Sequence, residues 1–245
     1  MDLSEIGPST RRHPWEIARA NFFVGLLERS ISPSTTTIAD VGSGDSWLAA
    51  HLLSQVSPEV RIHCIDTNYT PADLAASVHK SITRSTHLPP QQFDAMILLD
   101  VIEHIDDVEQ FLRQQILPRT RPNTVVVFSV PAHQSLFSEH DVALGHFRRY
   151  SPAQLQHTLS DQFTIHKMGP LFVSLLPIRF LQKALRMSLG SEGVGNWQHG
   201  SVVTKFFSAA LAFDGLVSLA ISRLGIRGAG LSIWAVCTPK KSNNS

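Results

Sequence analysis

The sequence predicts an α/β protein in which a mainly parallel sheet lies between layers of helices. Three observations favour this class. Short apolar strand patterns alternate with helix patterns along the chain, and a turn with two glycines, Gly42 and Gly44, joins the first strand to a helix. Apolar residues make up 43% of the 245 residues, which is enough for one large core. We therefore expect a single domain that spans residues 1–245.

The charge and cysteine content exclude several classes of protein. The net charge is +1 and charged residues make up 17% of the chain, which favours neither a nucleic-acid-binding protein nor a disordered one. Cys64 and Cys237 fall in predicted strands, so we expect small packed apolar groups rather than a disulfide framework or a zinc site. Residues 1–16 contain no apolar signal-peptide core, and a cytoplasmic location is expected.

The first predicted element is a helix over residues 13–30. Pro14 suits the first turn of a helix, and apolar residues recur after it at helical spacing. One interpretation is a helix that packs on the sheet. The other is an N-terminal lid, in which Trp15 or Arg19 closes over a ligand.

The stretch Thr37–Leu48 predicts a strand, a tight turn and the start of a helix. An apolar run ends around Asp40, and Gly42 and Gly44 follow at alternate positions. Glycine accepts left-handed backbone conformations and leaves room for a ligand, while the helix start offers free N–H groups. A dinucleotide fingerprint would place a third glycine where this chain has Trp47, so the turn argues against a dinucleotide.

This stretch resembles motif I of class I S-adenosylmethionine-dependent methyltransferases. That motif has an acidic residue followed by Gly-x-Gly-x-Gly, and Asp40, Gly42 and Gly44 match it, with Ser46 as a small residue in the last position. The resemblance implies a Rossmann-like three-layer sandwich with a seven-stranded sheet, whose last two strands form an antiparallel edge. It also implies S-adenosylmethionine as cofactor, with Asp40 at its amino group and the turn Gly42, Ser43 and Gly44 against it.

The second predicted strand ends at Asp66, 22 residues after Gly44. That spacing suits a βαβ unit that places a carboxylate beside a ribose, where it accepts both hydroxyls. We therefore predict cofactor contacts at Asp66 and Thr67. The alternative is that Asp66 caps the helix that starts at Pro71.

The fourth predicted strand, Phe93–Asp100, is followed by the sequence VIEHIDD. This region resembles motif IV of the same superfamily, which implies that Asp100 and Val101 lie near the methionine part of the cofactor. Glu103 and His104 have two open interpretations, as part of the site or as helix-start residues with no chemical role.

A segment dense in titratable side chains, residues 131–151, follows the fifth predicted strand. Its sequence HDVALGHFRRY, residues 140–150, resembles a group of bacterial methyltransferases that occur with pathways to glycans, lipids or secondary products. An imidazole in this segment can take a proton from the acceptor, and a carboxylate can orient that imidazole. The predicted catalytic residues are His140, Asp141 and His146.

The same segment carries the predicted substrate contacts. A guanidinium group matches the geometry of a carboxylate or phosphate, which makes the two adjacent arginines candidates for an anionic substrate group. The predicted substrate-binding residues are His133, Arg148, Arg149 and Tyr150.

Two other interpretations of the 131–151 segment stay open. A metal site would use His133, His140, Asp141 and His146, but their spacing matches no zinc motif, and we predict no metal. Alternatively, hydrogen bonds and a buried Arg–Asp pair tie down a long loop.

A helical insert over residues 170–230 separates the last two predicted strands. It contains two apolar runs on either side of a glycine-rich turn, and charged residues interrupt both runs, which argues against a transmembrane helix. The insert has three candidate uses: a roof over an apolar substrate pocket, a homodimer contact, or a peripheral contact with a membrane surface.

These features together predict methyl transfer from S-adenosylmethionine to an oxygen or nitrogen of a small-molecule, glycan or lipid-like acceptor. One alternative is a nicotinamide-dependent oxidoreductase, against which the missing third glycine counts. The other is a non-catalytic partner subunit that shares the methyltransferase fold.

Overall fold

The computed structural model describes residues 12–185 and 201–240. Within them, seven strands form one sheet in the order β3-β2-β1-β4-β5-β7-β6. The strands are β1 (Thr37–Val41), β2 (Arg61–Ile65), β3 (Ile82–Ser85), β4 (Phe93–Leu99), β5 (Thr120–Pro131), β6 (Phe163–Leu171) and β7 (Ser232–Pro239).

Strands β1 to β5 pair in parallel, whereas β7 is antiparallel to both β5 and β6. This confirms the predicted mainly parallel sheet with an antiparallel edge. The strand order reverses between β1 and β4, and open α/β sheets bind ligands at the carboxyl ends of strands beside such a reversal.

The helices cover both faces of the sheet. They are α1 (Pro14–Glu28), α2 (Trp47–Leu53), α3 (Pro71–Ala75), α4 (Val108–Phe111), α5 (Glu139–Ala143), α6 (Pro152–Ser160), α7 (Leu175–Ala184) and α8 (Ser201–Arg223). Alternate side chains of β4 enter two separate buried clusters: Ile97 joins residues from α1, α2 and α8, while Met96 and Leu98 join residues from α4 and α6. The sheet therefore has a core on each side, as a three-layer sandwich requires.

The predicted helix over residues 13–30 is the helix α1, which packs on the sheet, and its interpretation as a lid stays a prediction. Phe23 and Leu27 on one face are buried in the core, while Trp15 and Arg19 line a cleft. His13 caps the helix, because its side chain accepts a hydrogen bond from the Trp15 N–H.

One helical region is irregular. The segment that follows Asp107 keeps regular α-helical geometry only from Val108 to Phe111, and it continues as a wider and then a tighter turn as far as Arg119, near the ring of Pro118. In the insert, α7 and α8 are present, and the glycine-rich turn at residues 190–197 lies outside the described residues. Across the described ranges, no helix has the length and apolar character to cross a membrane.

Candidate active site

The turn after β1 depends on glycine for a steric reason. Gly42 and Gly44 have φ angles of +71° and +52°, in the left-handed region that favours glycine. A Cβ atom on Gly42 would lie 2.7 Å from Cγ2 of Val101. The N–H groups of Gly42 and Ser43 donate to the carbonyl of Ile65. The turn therefore joins the ends of β1 and β2 to the residues that follow β4.

Asp66 connects the end of β2 to this turn. Its Oδ2 accepts a hydrogen bond from the Gly44 N–H at 2.9 Å, and its Oδ1 accepts one from the Asn68 N–H at 2.9 Å. Thr67 beside it is exposed. The alternative that Asp66 caps the next helix is wrong, because α3 is capped by Thr70.

A cleft of about 510 Å³ lies between α1 and the glycine turn. Its walls include Trp15, Arg19, Asp40, Ser43 and Trp47. The cleft therefore collects the predicted motif I residues and the predicted lid residues around one space.

Asp40 gives the cleft its most unusual electrostatic feature. The carboxylate is buried, and within residues 12–185 and 201–240 its Oδ2 has no hydrogen-bond partner. Burial raises the pKa of Asp40 to about 7, and the charge of Arg19 opposes this shift. A buried acceptor without a partner fits a ligand that brings a positively charged amino group.

Asp100 lies where β4 leaves the sheet. Its φ angle of +57° is in the left-handed region, which is uncommon for a residue other than glycine and often marks a functional site. Its Oδ2 lies 2.6 Å from Nη2 of Arg19, so the ion pair joins α1 to the end of β4. Val101 follows and packs against Gly42, and its predicted contact with the cofactor stays a prediction.

In the 131–151 segment, Asp141 holds several groups together. Its carboxylate accepts hydrogen bonds from His146 Nδ1 at 3.0 Å, from Nε and Nη2 of Arg149 at 2.8 and 3.0 Å, and from the N–H and hydroxyl of Ser138. Burial opposes ionisation, but these bonds hold the pKa of Asp141 well below its ordinary value. Asp141 therefore bonds to an imidazole, that of His146, as the prediction of an oriented histidine requires. It also pairs with Arg149, which is the buried Arg–Asp pair of the alternative interpretation.

The other predicted residues of this segment have varied surroundings. His140 is exposed on α5. Arg149 uses its donors on Asp141 and the Ala132 carbonyl, so its contacts favour a structural role. Its predicted role in substrate binding stays a prediction.

Tyr150 lies in the core, and burial raises its pKa to about 12. Arg148 is half-exposed and donates to the Asp106 carbonyl, and His133 Nε2 lies 3.1 Å from the Gly230 carbonyl oxygen. Of these three predicted substrate contacts, Arg148 therefore retains the most accessible polar group.

Sequence reasoning missed Arg12 and left the role of Glu103 open. Arg12 forms ion pairs with Glu16 and Asp45 and stacks over Trp47 at 4.9 Å, on the wall of the cleft. Glu103 is fully buried three residues after Asp100, which a helix-start residue would not be. The EH pair after a buried strand was the available signal for Glu103, whereas nothing in the sequence indicated the packing of Arg12.

The fold is similar to those of solved methyltransferases. For coclaurine N-methyltransferase bound to N-methylheliamine and S-adenosylhomocysteine, the TM-score is 0.55 at 12% identity, over 89% of this chain and 70% of that one. For a putative methyltransferase in complex with the Haloferax volcanii Trm112 activator, the TM-score is 0.55 at 11% identity, over 94% of this chain and 96% of that one. For the mitomycin 7-O-methyltransferase MmcR, the TM-score is 0.52 at 11% identity, over 92% of this chain and 54% of that one.

These low identities support the fold alone, whereas the family follows from the sequence. A comparison with curated proteins finds no matching sequence. Residues 16–167, more than half of the chain, match the family model for a methyltransferase domain. The match includes β1 to β5, the glycine turn and the 131–151 segment. The chain therefore belongs to the methyltransferase domain family, which confirms the predicted enzyme class and its cofactor, S-adenosylmethionine.

Proposed function

We propose that this chain transfers a methyl group from S-adenosylmethionine to an oxygen or nitrogen of a small-molecule, glycan or lipid-like acceptor. The observation that carries the proposal is the cleft between α1 and the glycine turn, where the buried Asp40 has an unpartnered oxygen among the described residues. When bound, the cofactor supplies a methyl group on a sulfonium, which requires alignment and exclusion of water more than further activation.

Six of the eight predicted cofactor residues have a stated role in this proposal. Asp40 holds the amino group of the cofactor, and Gly42 leaves the cleft wall free of a side chain. Asp66 accepts hydrogen bonds from the ribose hydroxyls, with Thr67 beside it. Asp100 and Val101 border the methionine part, and the Asp100–Arg19 ion pair keeps α1 over the cleft.

Calorimetric titration of S-adenosylmethionine and, separately, of NADH into the protein tests the proposal. We expect micromolar binding of S-adenosylmethionine and no signal for NADH. Binding of NADH alone would indicate the oxidoreductase alternative. A lack of binding for both would indicate a non-catalytic partner subunit.

The raised pKa of Asp40 predicts that cofactor affinity depends on pH. An ionised carboxylate binds the amino group, and the pKa of about 7 leaves only a minor ionised fraction at pH 6. We expect the affinity for S-adenosylmethionine to rise roughly tenfold from about pH 6 to about pH 8. Calorimetry at both pH values checks this, and Asp40→Asn should bind weakly at both. An equal affinity at the two values for the wild type would contradict it.

The raised pKa of Asp40 also predicts that the free energy of unfolding depends on pH. Its ordinary pKa is 3.8, so between that value and about 7 the folded protein binds a proton that the unfolded chain has lost. Stability therefore falls as the pH rises through this window. The stability advantage of Asp40→Asn should grow across the window and level off above about pH 7, as chemical denaturation can measure.

His146 is the proposed acceptor-activating residue of the 131–151 segment. Its ring is held by Asp141 at 3.0 Å and meets the ring of His104 edge to face, with centroids 4.5 Å apart. The likeness of this segment to a bacterial group that occurs with glycan, lipid and secondary-product pathways supports a small or lipid-like acceptor.

The helix α7 is the proposed roof on the acceptor side. Phe180 packs against the ring of His133 with centroids 5.7 Å apart, and Lys183 donates a hydrogen bond to the Ser135 carbonyl. These contacts connect the insert to the start of the 131–151 segment, where the acceptor is proposed to bind.

The exposed surface of the insert suits an anionic lipid surface. Apart from the roof residue Phe180, the insert exposes large apolar side chains: Ile178, Leu181, Leu185, Phe207, Phe213, Leu216, Leu224 and Ile226. In residues 175–185 and 204–227, the exposed charged residues are all basic: Arg179, Lys183, Lys205, Arg223 and Arg227. Asp214, the one acidic residue of these two ranges, is buried and accepts hydrogen bonds from the N–H groups of Val173 and Ser174. An apolar face with basic residues binds membranes that carry negative charge.

This face predicts salt-sensitive binding to vesicles. We expect the protein to co-sediment with phosphatidylserine-containing vesicles and less with phosphatidylcholine vesicles, and added salt should weaken the binding. The double variant Phe213→Asp, Leu216→Asp should bind at least about tenfold more weakly, because the two side chains share one helix face. Leu74→Asp, in α3, is the control. Self-association that the double variant abolishes, without vesicle binding, would instead indicate a homodimer contact.

A further inference from the structure

Three side chains with metal-binding groups converge between the end of β4 and the 131–151 segment. Glu103 and His104 lie on a single helical turn after β4, and His146 follows α5. One candidate ligand atom from each residue lies within 4.8 Å of the other two. Such a separation allows all three atoms to bind a common ion.

The buried carboxylate of Glu103 is a second, independent indication that a cation binds here. Its side chain is 0% exposed, and no described residue makes a hydrogen bond to either carboxylate oxygen. A buried carboxylate without a partner is costly, and a bound cation removes that cost.

The imidazole of His146 is oriented by Asp141. Asp141 bonds to Nδ1 of His146, so Nε2 is the nitrogen left for a ligand. A carboxylate behind a histidine is the usual support for a metal-binding imidazole, since it fixes the orientation of the ring. The Phe147 N–H donates to the Glu103 carbonyl at 2.8 Å, which fixes the His146 region against the Glu103 turn.

We propose that Glu103, His104 and His146 form a binding site for one divalent transition-metal ion. Two imidazoles and one carboxylate suit Mn²⁺, Co²⁺ or Zn²⁺, whereas Mg²⁺ and Ca²⁺ prefer oxygen ligands throughout. Three protein ligands leave coordination positions for water or for an oxygen of the acceptor.

This ligand set differs from the one considered from the sequence. His133 bonds to the Gly230 carbonyl, and Asp141 is occupied by Arg149, Ser138 and His146. Only His146 is common to both sets. The new members, Glu103 and His104, lie some forty residues earlier in the chain and meet His146 only in the folded protein.

The site also indicates an acceptor class, and this part rests on the proposed function. A metal ion that binds a hydroxyl oxygen lowers the pKa of that hydroxyl and favours its ionised form. The site therefore favours an acceptor with a hydroxyl group, and methylation at oxygen rather than nitrogen. Ion binding itself does not depend on methyl transfer.

Titration of Co²⁺ into protein stripped with a chelator tests the site. We expect one ion per chain, with a visible absorption band for bound Co²⁺, and a weaker response to Mg²⁺. Glu103→Gln and His104→Gln should each reduce Co²⁺ affinity at least about tenfold. His157→Asn removes an exposed imidazole on α6 and should leave the affinity unchanged.

A lack of Co²⁺ binding by the wild type, or wild-type affinity in both Glu103→Gln and His104→Gln, would overturn the proposal. Thermal melting checks that each variant folds, and if Glu103→Gln does not fold, His104→Gln decides. S-adenosylmethionine binding is measured on the same samples. Protein that binds the cofactor but not Co²⁺ refutes the metal site alone, and the reverse result refutes the proposed function alone.

Discussion

Replacement of Asp66 by alanine is expected to weaken S-adenosylmethionine binding by about 100-fold or more. The carboxylate is proposed to accept hydrogen bonds from the ribose, and it also bonds to the Gly44 N–H at 2.9 Å. Hydrogen bonds to a charged group contribute about 1.5–3 kcal/mol each, so loss of the ribose bonds alone accounts for a change of this size. Calorimetric titration measures the change directly.

A matched control separates cofactor binding from stability. Asp94 also accepts hydrogen bonds from backbone N–H groups, those of Thr36 and Thr37 at 2.9 and 3.0 Å, but at the opposite end of β1. Asp94→Ala should lower the melting temperature and keep the affinity of the wild type. Asp66→Asn retains one acceptor oxygen and should lose less affinity than Asp66→Ala. Unchanged affinity in Asp66→Ala would exclude a ribose contact.

His146→Asn is expected to reduce turnover by about 10² to 10⁴-fold, the usual range for loss of a group that assists proton transfer. The same loss is expected whether His146 takes the proton itself or holds the proposed ion that favours ionisation of the acceptor hydroxyl. Cofactor affinity should stay within about twofold of the wild type, because His146 contacts the Asp141 and His104 side of the site rather than the cleft wall. Single-turnover assays with labelled S-adenosylmethionine measure the first effect, and calorimetry measures the second.

The control for this variant is again His157→Asn, which should retain full turnover. If His146→Asn keeps wild-type turnover, the acceptor is activated elsewhere and His146 has only a structural role. A combined loss of turnover and cofactor affinity would indicate that the whole 131–151 segment has moved. The proposal requires the turnover effect without the affinity effect.

The glycine turn was predictable because its signals are local. A strand pattern, an acidic residue and two alternating glycines are readable in one short stretch, and the backbone angles of Gly42 and Gly44 follow from residue type. Ser46 adopts a left-handed φ of +68° without being glycine. The last position of the motif therefore has a left-handed backbone without a glycine. The hydroxyl of Ser46 forms a hydrogen bond with the hydroxyl of Tyr69.

The sequence shows which titratable residues the 131–151 segment contains, but it does not show which of them bond to each other. The sequence placed His140 next to Asp141, yet Asp141 bonds to His146 and Arg149, five and eight residues later. A short helix, α5, turns the chain so that these later residues reach Asp141. That arrangement depends on packing against the rest of the domain, which no periodicity in the segment reveals.

Burial of Glu103 depends on tertiary contacts in the same way. Its neighbours in sequence are typical of a helix start, and the turn Ile102–His104 is helical. What buries it is the later segment, through the bond from the Phe147 N–H and the packing of Tyr150 near the Ile102 carbonyl. The sequence alone therefore left its role open between a cap and a functional group.

The position of the insert has a consequence for how this enzyme could diversify. Leu171 and Ser232, which bound the insert, are register partners on adjacent antiparallel strands. A segment whose two ends meet across one rung of a ladder can be exchanged for a longer, shorter or different one without disturbing the sheet. The family match ends at residue 167, before the insert begins. The proposed roof over the acceptor and the proposed cofactor site therefore lie in parts of the chain that natural variation, or a chimaera, can recombine independently.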